Sequence, residues 1–293
     1  MGPKFLRTMQ IYSIKVAETE SFHLEWPLEV YGVVAAQDGV DHRRNLLFLR
    51  IRDDCQILTK QDPFLHLIGP SRAIISGDDV VGEHVMIDVH LKLKGTVESK
   101  DRTLISKAFC YDYGHYDHSV STRLHRGLCD IELCCEHLRR SLQATILGVQ
   151  LVKGSLPCES GIKVLCFALT EDETKGGLPS RPVLLLDSQA ETMPVDEEGY
   201  LELSRRAGSV KLNGRLAILV HAREASGSVV FTPKSSSVSQ ERCDLGDCEV
   251  EITVTWSLMA KSQHHIGLMG CAEPYYAHEL YRIPKMILEE DAC

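Results

Sequence analysis

Hydrophobic and polar residues alternate along most of this chain with the period of two that a strand with one buried and one wet face imposes. HVMIDVHLKLKG shows it most clearly: Val85, Ile87, Val89, Leu91 and Leu93 share one face, and His84, Asp88, His90, Lys92 and Lys94 the other. EVEITVTWSL repeats the design, with Val250, Ile252, Val254, Trp256 and Leu258 set against Glu249, Glu251, Thr253, Thr255 and Ser257. The runs QIYSIKV, LEVYGVVAA, NLLFLRI, SLQATILGVQL, IKVLCFAL, PVLLLDS, YLEL and RLAILVHA predict further strands. Clusters of Gly, Pro, Asp and Ser separate them at the short intervals of sandwiches and barrels. No long segment carries a helical stripe. AHELYRIPKMILEE comes nearest, and Pro284 interrupts it.

The order of the strands repeats. SLQATILGVQLVKG parallels TMQIYSIKVAE, GIKVLCFALTED parallels PLEVYGVVAAQD, and PVLLLDSQAETMPVDEEGYLELSRRAGSV parallels NLLFLRIRDDCQILTKQDPFLHLIGPSRAI. RLAILVHA then follows VHLKLKG, and LGDCEVEITVTWSL follows RGLCDIELCCEHL. Any two strands look alike, but five pairs in one order predict two related units. The expected architecture is all-β: tandem antiparallel β-sandwich units at residues 8–138 and 141–260, and a C-terminal extension at 261–293.

Composition narrows the setting. Apolar content of 44% and charged content of 25% are those of a soluble globular protein, and no apolar run reaches the roughly 18 residues that cross a bilayer. MGPKFLRTMQIYSIKV lacks the apolar core of a secretory signal. Gly2 invites a myristoylation check, but Leu6 stands where Ser or Thr is needed, and Cys293 is too close to the end for prenylation. Eleven scattered cysteines fit a reducing compartment better than a disulfide scaffold, so the cytosol, or the nucleus, is expected. Cys110, Cys129, Cys135 and Cys166 lie in apolar runs and are expected to be buried thiols. A net charge of −9, with basic residues occurring as short pairs such as Arg139-Arg140 and Arg205-Arg206, does not favour nucleic acid.

LEWPLEVYGVVAAQDGVDHRRNLLFLRIRDDCQIL, DPFLHLIGPSRAII, the strand ending LKLKG, and later VLLLDS, GYLELSRR, FTPK and CDLGDCEVEITVTWSLMA together resemble one family. It is DUF6598, a domain found chiefly in grasses, alone or behind a ribosome-inactivating N-glycosylase module. The resemblance spans about residues 9–260 and implies a plant source and a link to stress or defence. It brings no catalytic residues. Those N-glycosylases use a Glu-x-x-Arg pair on a helix, and Glu136-His137-Leu138-Arg139 has the spacing but ends the β-patterned run IELCCEHL. A coincidence of spacing is the expected reading.

Other candidate groups meet a plainer explanation. YDYGHYDH holds Asp112, His115, Asp117 and His118, ligand types suited to zinc, but it falls between the strands TLISKAFC and LCDIELCC, where a solvated connector is expected. His137 occupies the inward phase that Trp256 has in the second copy, which predicts a hydrogen-bonded core histidine. His264, His265, Cys271 and His278 in the tail match no zinc spacing. Cys243 and Cys248 are expected to be free thiols. Asp38 and Asp41, with Glu171 and Asp172 in the second copy, lie where sandwich loops can bind calcium, but turn chemistry accounts for them. Phosphate-cradling glycine motifs, H-E-x-x-H and G-x-S-x-G are absent.

No residue is therefore assigned to catalysis, a cofactor or a metal. The expected function is a non-catalytic binding module of a cereal stress or defence protein, with another protein as its partner. Tyr31, Tyr111, Tyr113, Tyr116, Tyr275 and Tyr276 would supply contact area wherever they are exposed. Alternative functions are an enzyme or accessory acting on ribosomes, and calcium-dependent lipid or sugar binding.

Overall fold

Alternating sequence becomes strand almost throughout the computed structural model, which describes residues 6–19, 22–76, 84–111, 120–125, 127–155, 161–170, 181–188, 195–222 and 225–259. In chain order the strands are β1 (Leu6–Ala17), β2 (Leu28–Gln37), β3 (Asn45–Arg50), β4 (Gln56–Leu58), β5 (Ile74–Ile75), β6 (Val85–Leu93), β7 (Arg102–Tyr111) and β8 (Val120–Leu124). They continue as β9 (Asp130–Lys153), β10 (Ile162–Leu169), β11 (Val183–Ser188), β12 (Ala207–Lys211), β13 (Arg215–Ala222), β14 (Ala225–Phe231), β15 (Ser237–Asp244) and β16 (Glu249–Ser257). The helical content among the described residues is two short 3-10 turns, Arg52–Asp54 and Glu98–Lys100. The all-β expectation holds, and every strand pairing is antiparallel.

Three sheets result. A central sheet runs β15-β16-β9-β1-β5, with β8 and β12 also paired to β9. A first outer sheet runs β3-β2-β6-β7 with β4 on β2, and a second runs β11-β10-β13-β14. The segments IELCCEHL and SLQATILGVQL, which read as separate strands, form the single 24-residue strand β9. Its first part pairs β1 and β8, and its second part pairs β12 and β16. Arg139 and Arg140 mark the change, both exposed, with Arg140 at φ 51 and the β1 register slipping beside them.

The central sheet is apolar on both faces. Ile11 and Ile14 of β1, with Ile131, Leu133 and Cys135 of β9, enter a core shared with the first outer sheet. Tyr12, Cys134, Ala144, Ile146 and Val149 enter a second core, with Val164, Ile218 and Trp256. Where β1 slips register between Ile11 and Ser13, the buried Arg205 guanidinium donates to the carbonyls of Ile11 (2.6 Å) and Tyr12 (3.4 Å).

The polar stretch PKSSSVSQERCDLGD contains β15. This strand is paired on one side only and exposed over most of its length, so packing imposes no apolar alternation on it. YLEL forms isolated bridges at Tyr200 and Leu201 rather than a strand.

Gly32 is required in β2 because its φ is +127 and a Cβ there would sit 2.1 Å from the His90 carbonyl oxygen of β6. Gly246 also has positive φ, at +85, but nothing lies within 4 Å of a Cβ there. Gly32→Ala is expected to cost about 3 kcal/mol or more, and Gly246→Ala about 1 kcal/mol. Urea unfolding followed by tryptophan fluorescence measures both.

Candidate functional site: a cleft beside the first outer sheet

The segment from Phe22 to Glu29 leads into β2 and folds over the ends of β6 and β7, leaving a cleft of about 210 Å³. Its apolar lining comes from Phe22, Leu24, Leu28, Leu93, Leu104 and Leu128. His23, Glu25, Glu29, Lys94 and Arg102 supply charge and hydrogen-bonding groups around it. The Arg102 guanidinium lies 5.4 Å from the Phe22 ring centroid, a cation–π contact that braces one wall. Opposite ends of the segment are tied down as well. Trp26 Nε1 donates to Glu18 at 2.9 Å, and Lys94 stands 3.9 Å from Glu29. Trp26 and His23 donate to the Glu18 carboxylate and so lower its pKa. Ile57, on β4 opposite Glu29, is 63% exposed and extends the apolar surface next to the cleft.

Elsewhere the conspicuous ionic groups satisfy one another. Asp38 accepts from the backbone N–H of Val40, Asp41 and Ile75 and from both terminal nitrogens of Arg72, at 2.6–3.2 Å. A calcium ion would have to displace Arg72 from a carboxylate that is almost completely buried. Asp101 accepts from Arg52 Nε (2.8 Å) and Nη2 (3.2 Å), the Tyr31 hydroxyl (2.7 Å) and the Gly95 N–H (2.7 Å). These donors, Arg52 first, hold its carboxyl well below the usual carboxylate range. Burial, reinforced by Asp101, pushes the Tyr31 phenol up. Asp88 is similarly held by Arg44 (2.9 Å) and Gln37 (2.6 Å).

Glu136 and Arg139 lie on β9, not on a helix. Glu136 is buried and accepts from the Tyr12 hydroxyl, while Arg139 is exposed. His137 is buried, its Nδ1 is 3.2 Å from Ser76 Oγ, and its ring stacks on Tyr111 with centroids 5.5 Å apart. Burial lowers its pKa, with the nearby Arg7 charge adding to the effect. Tyr31 and Tyr111 are buried and offer no contact surface.

Cys243 and Cys248 are buried free thiols in the second core. Cys129, Cys135 and Cys166 are buried as expected, and burial pushes each thiol up to about 12. Cys110 departs from that expectation. It is exposed, because β7 is an edge strand and this residue sits on its outer side.

Asp112, His115, Asp117, His118, Glu171, Asp172, His264, His265, Cys271 and His278 lie outside the described residues, as do Tyr113, Tyr116, Tyr275 and Tyr276. Among the described residues, no three His, Cys, Asp or Glu side chains are grouped to hold a metal. None of the helices there is long and apolar enough to cross a membrane. The cleft was not picked out by the sequence, although FHLEWPLE, with apolar and charged residues mixed ahead of β2, is the one local sign of it.

Residues 8–254 match the family described as a domain of unknown function, DUF6598. The chain belongs to the DUF6598 family. No curated protein matches it. Among solved structures, human GIVD cytosolic phospholipase A2 in complex with methyl gamma-linolenyl fluorophosphonate aligns at 8% identity and a TM-score of 0.25, over 88% of this chain and 33% of that one. The two calcium-bound C2 domains of extended-synaptotagmin 2 align at 10% identity and a TM-score of 0.29, over 88% and 97% of the two chains. Alignments this loose carry neither ligand nor site into the DUF6598 chain.

Three outcomes follow from the saturated carboxylates. Asp101 stays ionised in the folded protein at pH values where the unfolded chain takes up a proton, near pH 3.9 for a free Asp. The stability it contributes is full above about pH 5 and is lost as pH falls towards its depressed folded value. Asp101→Asn is therefore expected to be less stable than wild type at about pH 6, with the gap narrowing at about pH 3, as read by urea unfolding. Asp38→Ala is expected to cost about 2–4 kcal/mol by stripping Arg72 and three backbone N–H groups of their acceptor. Millimolar calcium is expected to leave the melting temperature of wild type unchanged in a thermal-shift assay.

Proposed function

We propose that this DUF6598 chain is a non-catalytic binding module of a plant stress or defence protein, and that its cleft seats a side chain of a partner protein. One observation carries the reading: the cleft has an apolar lining, a rim of both charges and a volume of about 210 Å³. That is smaller than the roughly 300–1,000 Å³ of pockets that enclose small-molecule ligands, and it suits a single anchoring side chain. The neighbouring exposed Ile57 adds apolar contact area of the kind a protein partner covers. Support also comes from the other ionic clusters, whose acceptors are occupied by the protein's own donors. The free thiols fit work in the reducing cytosol or nucleus.

The test replaces His23, whose side chain is 87% exposed at the cleft, with a photo-crosslinking residue and irradiates the protein in cereal leaf extract. A discrete cross-linked protein, lost or reduced about tenfold by Arg102→Glu, is the expected outcome. Failure to capture any protein, or capture indifferent to Arg102→Glu, would count against the reading. Ribosome depurination by wild type, abolished by Glu136→Gln, would replace it with an enzymatic one.

A further inference from the structure

Among the described residues, the strand that walls the cleft is also an open edge. β7 pairs β6 on one side and ends the β3-β2-β6-β7 order on the other. Every second residue of such a strand points its N–H and C=O away from the sheet. Along β7 one outward partner is seen among the described residues, Leu128 N–H donating to the Leu104 carbonyl at 2.8 Å, near the strand's start. Beyond it, Lys107, Ala108 and Cys110 are exposed and Ser106 half-buried. The edge leads into the cleft, because Arg102 and Leu104, near the start of β7, line it. An edge that runs into an apolar hole is the geometry of strand addition, in which main-chain hydrogen bonds give affinity and a side-chain pocket gives selectivity.

Charge selects the occupant. β7 carries two cations, Arg102 and Lys107, and no carboxylate, in a chain of net charge −9. Lys92 on β6 stands opposite Thr103 of β7, and Lys94, just past the end of β6, is 3.9 Å from the Glu29 carboxylate. A second copy of β7 would bring cations and no carboxylate to meet them. Another exposed edge, β15, carries Glu241 and Asp244 beside one cation, Arg242.

Resting on the reading of the cleft given above, we propose that β7 takes up an extended, acidic segment of a partner polypeptide as an added strand, with one apolar side chain of that segment seated in the cleft.

The probe is a phage-displayed library of linear peptides selected on the full chain, followed by synthetic peptides of the selected sequence. The expected selection is an apolar residue flanked by Asp or Glu. Methylating the peptide's backbone nitrogens at alternate residues should weaken binding about tenfold or more in one phase and leave it nearly unchanged in the other. Lys107→Glu, at an exposed site, should weaken binding several-fold while leaving the melting temperature in place. Peptide binding should also slow hydrogen exchange at Ser106–Cys110. Peptides that bind but tolerate methylation in both phases, with protection confined to residues 22–29, would overturn strand addition and leave the cleft reading standing. A library that yields no binder would overturn strand addition, and the leaf-extract cross-link then decides the cleft by itself.

Discussion

Everything in this fold hangs on one strand, β9, being hydrogen-bonded into a sheet that has a core on each face. A strand buried on one side can alternate apolar and polar residues, but a strand buried on both sides must make every position apolar or give it an internal partner. The residues of β9 meet that demand one by one. Cys134 and Cys135 are adjacent and both buried, one in each core. Glu136 accepts from Tyr12, and His137 meets Ser76 through Nδ1 and stacks its ring on Tyr111. Exposure returns at Arg139 and Arg140, where the strand passes from one set of partners to the other, and again at Leu147 and at the strand's end, Val152 and Lys153.

That shared strand also explains the buried arginine. β1 slips register between Ile11 and Ser13, where Ile11 and Tyr12 are both buried. Arg205 reaches them from a separate segment ahead of β12. Burial pulls its pKa down to about 10, which still leaves it a cation at neutral pH. The cost of burying that charge is offset in part by its hydrogen bonds to the buried Ile11 and Tyr12 carbonyls, of which that of Ile11 also accepts from Gln10 Nε2 at 3.2 Å. Its neighbour Arg206 does comparable work at the surface, donating to the Leu147 carbonyl. A basic pair in the sequence is thus a pair of backbone struts in the fold.

Strands with one wet face were legible from pattern alone: β16 matches its sequence expectation residue by residue, and β6 departs at Asp88, expected wet but buried with Arg44 and Gln37, and at the half-buried Leu93. Two kinds of strand were not. β15 has almost no buried face, so it reads as polar loop, and β9 has two, so the change of partners at Arg139-Arg140 reads as a break. Tyr31, Asp38 and Asp101 are chemically conspicuous in the sequence, but their partners Arg52, Arg72 and Gly95 are set by tertiary contact. The cleft was hidden for the same reason. It joins a segment at 22–29 to residues near 93, 102 and 128, and none of these is unusual in its own neighbourhood.

Asp38, which the sequence offers for ion binding, is poorly able to do it, and Asp101 is held in the same way. Asp38 and Asp101 each receive at least four hydrogen bonds, including a forked arginine, so their binding capacity is spent holding loops against the sheet. Binding another molecule requires groups whose partners are water in the free protein and the ligand in the complex. Around the first outer sheet those groups gather where β7 begins: backbone facing outward, lysine and arginine on the rim, and leucine side chains lining a hole they do not fill. Closed polar networks fix the shape of this end of the molecule, and the open edge beside them is what that shape presents to a partner.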